Sequence, residues 1–403
     1  MDLKKKLQDA RRASRFSQEQ VAKQLGVTRE VVSQWESGTR TPSVKNLEQL
    51  VSLYRAPYLV DPNATSDPID EEKSTLVKGL HCEDDALNSE VSNWLDFLDR
   101  WSSYKKNDND FLPQRGKPPK RLDKGIAFKD SRYAAREAQA VRDHFKLGRE
   151  AIPNLYMLLD DWDILVYKAN LGRWKKGQSK EGISGAFFNH PDLGYCIIVN
   201  AQTTPGRQTY TLAHELAHAF YHYSLRTIVS RAGNRDPLET FADTFASHFL
   251  VPTKSINALI DDYGWKNCLD PFKVIHLASC FQVSWLFLLY RLQGENHISR
   301  ENLSEWSGLS PSKLADAMGI DTHLFTTEAN GVKSDLHRFP PSVLSDVRDA
   351  LEKKKIDRYQ AAELLGVDDG DKLYNALCET SPADSGEQEA KYEFELQLAG
   401  GRI

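Results

Sequence analysis

The run His214-Glu215-Leu216-Ala217-His218 constrains this chain more than any other feature. Two imidazoles four residues apart share one helix face, so both can reach a single metal ion only if the segment is helical. Glu215, one residue on, then approaches a water at that metal. Zinc with an open position lowers the pKa of such a water towards ~7, and an adjacent carboxylate can take the proton. Leu212, Ala213, Leu216, Ala219 and Phe220 give the helix its apolar contacts. A catalytic Zn2+ needs a third protein ligand, most simply a carboxylate. A helix starting after Pro237 places Glu239 and Asp243 on one face. Glu239 is then the candidate ligand, and Asp243 suits a group that orients a histidine through its free N–H. His222 lies two turns beyond His214, about 12 Å along the axis, too far to share the ion. It reads as packing or a surface group. Ser224 stands ten residues after His214, so a three-histidine zinc pattern is absent. His248 and His276 read as core or boundary histidines, and His190 as a surface residue.

The cysteines 82, 196, 268, 280 and 378 are odd in number, widely spaced and form no CxxC pair. That argues for reduced thiols in a cytoplasm and against a cysteine-ligated zinc. With 403 residues the chain is long enough for two or three domains. No apolar run approaches the ~20 residues of a membrane helix, and MDLKKKLQDARR has no apolar core after its basic residues. A cytoplasmic protein with no membrane partner is expected. Residues 1–56 hold eleven Lys+Arg against six Asp+Glu, whereas the whole chain carries −5. A small basic head ahead of an acidic body suggests polyanion binding by that head.

The head itself reads as short helices joined by tight turns. Ser17 and Gln20 make a capping box before Val21, Ala22 and Leu25, and Gly26 stops the helix. Thr28 caps the next helix, with Val31, Val32 and Trp35 as its buried stripe, ending at Gly38. Pro42 and Ser43 open another with Leu47, Leu50 and Val51. In this geometry the second helix lies in the DNA major groove. Its exposed Arg29, Glu30, Ser33 and Gln34 can read base edges. Gln18 could bridge phosphate and recognition helix, and Lys23, Arg40 and Lys45 are candidate phosphate contacts. S-Q-E-Q-V-A at 17–22, L-G-V at 25–27 and the Ser33, Trp35, Glu36, Gly38, Pro42 spacing resemble the lambda-repressor-like helix-turn-helix family. The resemblance implies binding to double-stranded operator DNA as a homodimer.

Farther along, strand-like runs occur at 164–167, 185–188 and 195–199, the last two reading as a hairpin. Helical patterns cover 71–104, 131–147, 207–223, 237–250 and 271–292. The segments TYTLAHELAHAFYH (209–222) and ETFADTFASHFLVP (239–252) resemble the ImmA/IrrE metallopeptidases. GISGAFFNHPDLGYCIIVN (182–200) and VIHLASCFQVSWLFLLYRL (274–292) fit the same pattern, so the likeness covers about 131–295. It implies that His214, His218 and Glu239 bind zinc and that Glu215 is the general base. Phe241 stands where relatives often have a second acidic residue.

The expected fold class is α+β and mostly helical. An N-terminal all-α helix-turn-helix bundle precedes a zincin-like domain with a small β-sheet and the HExxH helix. The expected division is 1–60 DNA-binding, 61–130 helical arm and linker, 131–298 peptidase-like, 299–380 C-terminal helices and 381–403 a poorly ordered tail. Residues 355–377 look like a second, acidic helix-Gly-helix suited to docking or dimerisation. Gly185, Ala186 and Phe187 are the candidate edge strand for a substrate backbone, since two small residues permit close approach. These features suggest a transcriptional regulator whose zinc endopeptidase domain cleaves itself or a partner repressor. The competing expectations are a non-catalytic regulator whose metal domain senses a ligand or partner protein, and an antitoxin-like autorepressor.

Overall fold

Caps decide where the N-terminal helices begin and end. The computed structural model describes residues 3–13, 16–54, 59, 85–107, 131–172, 183–222, 227–231, 236–327 and 335–378. The first four helices are α1 (Leu3–Ala13), α2 (Gln18–Leu25), α3 (Arg29–Ser37) and α4 (Val44–Tyr54). At the start of α2 the Ser17 hydroxyl accepts from the Gln20 N–H, and the Gln20 side chain accepts from the Ser17 N–H. Gly26 and Gly38 end α2 and α3 in the left-handed region, at φ 67° and 79°, where a residue without Cβ is least strained. Thr28 occupies the N-cap of α3, although its side chain makes no capping bond. Leu7, Ala10, Phe16, Val21, Ala22, Val32, Trp35, Leu50 and Tyr54 form the core of this bundle.

Beneath that core runs an ion pair. Arg11 donates from Nε to Glu36 Oε1 at 2.5 Å and from Nη2 to Oε2 at 2.9 Å, while Nη1 donates to the Phe16 carbonyl at 2.7 Å. The pair ties α1 to α3 and is mostly buried. Glu36→Ala leaves the mostly buried guanidinium with the Phe16 carbonyl but without the two carboxylate acceptors. It is expected to destabilise the bundle by about 1.5–3 kcal/mol in chemical denaturation.

The sheet has the order β1-β3-β2-β4, built from Leu165–Ala169, Ile183–His190, Gly194–Asn200 and Thr227–Arg231. β1 runs parallel to β3, whereas β2 is antiparallel to both β3 and β4. The expected edge at Gly185, Ala186 and Phe187 is therefore corrected. Gly185 pairs with Val199 on one side and Ser230 on the other, Ala186 with Ile198 and Val229, and Phe187 with Ile197 and Ile228. Ala186, Phe187 and Phe188 are wholly buried, as befits an interior strand covered on both faces. The small residue serves the fold. A Cβ on Gly185 would stand 2.8 Å from the Ile198 carbonyl oxygen, 2.9 Å from Thr211 Cγ2 and 3.3 Å from Glu215 Oε1. It is the histidine helix that approaches Gly185 closely. Among the described residues the edges of the sheet are β1 and β4.

Two other expectations change. The 271–292 pattern is two helices, Pro271–Cys280 and Trp285–Gly294, bent by 105° at the break. Gln282 takes φ 55°, and the Ser284 hydroxyl accepts from Phe287 N–H to cap the second helix. Gly206 lets the first turn of the histidine helix rest on this break, since a Cβ there would lie 2.6 Å from the Ser284 nitrogen. The C-terminal helices, expected as one region, divide. Trp306, Ala315, Leu324 and Phe325 join the core around the sheet. Residues 335–378 instead form a second unit with the later part of helix Asp85–Asn107. Within that unit Phe97 packs on Phe339 at 4.9 Å, Lys105 pairs with Asp346 at 2.5 Å, and Arg100 Nε donates to the Leu364 carbonyl. Its helix-Gly-helix, Arg358–Leu365 and Gly370–Cys378, turns at Gly366 and leaves Glu363, Asp368, Asp369 and Asp371 exposed. The expected arm over 71–84, the linker over 108–130 and the tail over 381–403 lie outside the described residues.

Candidate metal centre and DNA-reading face

Two capped helices carry the metal-binding candidates. The histidine helix, Pro205–Tyr221, begins at Thr204, whose hydroxyl accepts from Arg207 N–H, with Pro205 in the first turn. The glutamate helix, Pro237–Leu250, begins at Asp236, whose carboxylate accepts from Leu238 N–H at 2.8 Å. Leu216, Ala217 and Ala219 on one and Phe241, Ala242 and Phe245 on the other are fully buried, so apolar packing fixes both helices. His214, His218 and Glu239 converge between them. His214 Nε2 lies 3.1 Å from His218 Nε2 and 3.1 Å from Glu239 Oε2, and His218 Nε2 lies 3.4 Å from Glu239 Oε1. Ligands bonded at 2.0–2.1 Å to a tetrahedral ion are about 3.3–3.4 Å apart, so this donor set has the spacing zinc requires.

The charges point the same way. Burial opposes a charge on His214, but hydrogen bonds to Asp243 and Glu239 outweigh it and raise the imidazole to about 10. Burial likewise works against an ionised Glu239, and the two histidines prevail, holding it down at about 2. His218 is pushed down, chiefly by burial. The Asp243 and Glu239 carboxylates thus favour a positive charge at His214, while burial disfavours one at His218.

Glu215 differs from its neighbours. It is fully buried, and neither carboxylate oxygen has a hydrogen-bond partner among the described residues. Burial pushes it up to about 7, against the charge of His214 and the nearby Ser230 hydroxyl of β4. A buried carboxyl without a partner is costly, and such groups concentrate where chemistry needs them.

Behind the triangle lies a ring of supporting contacts. Asp243 Oδ1 sits 2.9 Å from His214 Nδ1 and accepts from the Tyr210 hydroxyl at 2.5 Å. His222 is fully buried, with its Nδ1 2.8 Å from His218 Nδ1. The surface alternative for His222 is thereby overturned, because the same i, i+4 spacing that aligns the first two histidines carries the third beneath them. His190 is also buried, and its Nδ1 accepts from the Asp192 and Leu193 N–H groups of the β2–β3 turn. His248 Nδ1 accepts from Arg291 Nη2 at 3.0 Å, and burial lowers it to about 4, so it is a neutral structural group.

On the N-terminal bundle, Arg29, Glu30, Ser33, Gln34 and Arg40 are all exposed. Gln18 is half-buried and its amide donates to Glu36 Oε2 at 3.0 Å, which fixes it against α3. Lys45 belongs to α4, and its side chain lies outside the described residues.

Residues 7–58 match the helix-turn-helix family, and residues 164–293 match the peptidase family described as the IrrE N-terminal-like domain. The chain joins a lambda-repressor-like helix-turn-helix to an IrrE-like domain. No curated protein matches it. This pairing makes the chain a DNA-binding regulator that carries an IrrE-type peptidase domain. The IrrE-like match includes all four strands and both metal-site helices. Helix Ala134–His144 precedes the match yet contributes Ala134, Ala138 and Val141 to the same core. Among the described residues no single helix is long and apolar enough to cross a membrane.

Proposed function

We propose that this regulator is a zinc-dependent endopeptidase that cleaves a repressor-type protein, either itself or a partner, and so switches genes bound by its helix-turn-helix. The observation that carries the proposal is the meeting of His214, His218 and Glu239 beside a buried Glu215 that has no hydrogen-bond partner among the described residues. His214, His218 and Glu239 would hold the zinc, and Asp243 would keep His214 oriented. Zinc, when bound, supplies Lewis acidity and a more acidic water. Glu215, with its carboxyl at about 7, is poised to take a proton from water and return it to the leaving amine. A substrate segment would add as a strand to β4, whose Ser230 pairs with Gly185 next to Glu215. Reduced thiols at Cys196, Cys268, Cys280 and Cys378 suit a cytoplasmic setting.

For DNA, a homodimer is the proposed binding form, with Arg29, Glu30, Ser33 and Gln34 at base edges. Gln18, Arg40 and Lys45 would approach phosphates. Arg29→Ala and Gln34→Ala are each expected to lose ~1–3 kcal/mol of discrimination between the gene's own promoter and unrelated duplex. Arg40→Ala should weaken both DNAs alike and flatten the salt dependence. Fluorescence anisotropy at two salt concentrations distinguishes these effects. Equal retention of promoter and unrelated DNA by the wild type would contradict the regulator reading.

A further inference from the structure

We propose that His222 is the positioning residue for His218, accepting a hydrogen bond from its Nδ1–H and fixing the tautomer in which Nε2 faces the metal. This rests on the zinc reading above. His218 Nε2 points into the donor triangle, 3.1 Å from His214 Nε2. A neutral imidazole that gives its Nε2 lone pair to an ion carries its proton on Nδ1, and that proton needs an acceptor. The group at hydrogen-bond distance is His222 Nδ1, 2.8 Å away. Two lone pairs or two N–H groups cannot face each other there, so His222 presents its Nδ1 lone pair and keeps its own proton on Nε2.

The arrangement is held from several sides. His222 is fully buried, its ring meets Phe241 edge-on at 5.3 Å, and its backbone N–H still bonds to the His218 carbonyl. The two histidines have different outer partners: His214 has the half-exposed Asp243 carboxylate, and His218 has the buried His222 ring. Glu215 and Glu239 already place two carboxylates in this core, and a third, buried one would add charge with no compensation. A neutral acceptor avoids that cost.

The test uses full-length protein and measures zinc affinity by chelator competition in wild type, His222→Asn, His222→Gln and His222→Phe. Asn sets its amide oxygen near the place of Nδ1, Gln reaches one bond too far, and Phe keeps the ring without an acceptor. The expected result is near-wild-type affinity for Asn and a ~10–100-fold loss for Gln and Phe. The visible spectrum of the cobalt-loaded form should change in the same two variants. Thermal unfolding of the metal-free forms identifies any variant that does not fold, and the Asn–Gln comparison stands without Phe. Equal affinities for Asn and Gln, or unchanged affinity in Phe, would overturn the role of His222. A wild type that binds no zinc would instead refute the metal reading on which it rests.

Discussion

Alanine at His214, His218 or Glu239 is expected to strip the protein of zinc, from about one ion per chain to a small fraction of that. Each residue supplies one corner of a triangle whose edges are 3.1, 3.1 and 3.4 Å, so two donors remain after any single change. Losing a supporting residue behind a ligand typically costs 10–100-fold in metal affinity, and losing a ligand should exceed ~100-fold. Asp243→Ala belongs to the milder class, since Asp243 touches His214 Nδ1 and not the triangle. Metal analysis of dialysed protein, with calorimetric titration of the metal-free form, measures both effects. Zinc content unchanged in all three alanine variants would remove the site.

Glu215→Gln is expected to separate chemistry from metal binding. The amide has nearly the shape of the carboxyl, so Thr211 and Gly185 can remain packed against it, and zinc content should stay at the wild-type level. Proteolysis of the target should fall ~10²–10⁴-fold, the usual contribution of a positioned acid–base group. Stability should move the other way or not at all. Wild-type Glu215 is a buried acid whose oxygens have no hydrogen-bond partner among the described residues, and a neutral amide costs less there. Loss of zinc or a lower unfolding temperature in Glu215→Gln would mean that the residue supports the fold.

Much of this centre is legible in the sequence because its rules are local. Histidines four apart must share a helix face, and Pro237 fixes where the next helix starts, so the side to which Glu239 and Asp243 point follows. The capping box at Ser17 and the glycine at 26 are equally local. What resisted reading depends on partners distant in sequence. Gly185, with no side chain, reads as a place open to a ligand, yet the space it leaves is taken by Thr211 and Glu215. The strand that displaces it from the edge, Thr227–Arg231, is five residues long and carries too short an alternation to announce itself. His190 reads as a surface group and His222 as packing or a surface group; their hydrogen-bond partners are near in sequence, but the burial that encloses both is not a local property. Arg11 and Glu36 lie 25 residues apart, and no periodicity links them.

The most direct measurement is the mass-spectrometric search for a cleavage product in cells that express either wild type or Glu215→Gln, before and after an inducing stress. A single new cut in this chain or in a neighbouring repressor, present only with wild type and accompanied by induction of the bound genes, is the predicted result. Identical induction in both strains with no fragment specific to the wild type would contradict the peptidase account.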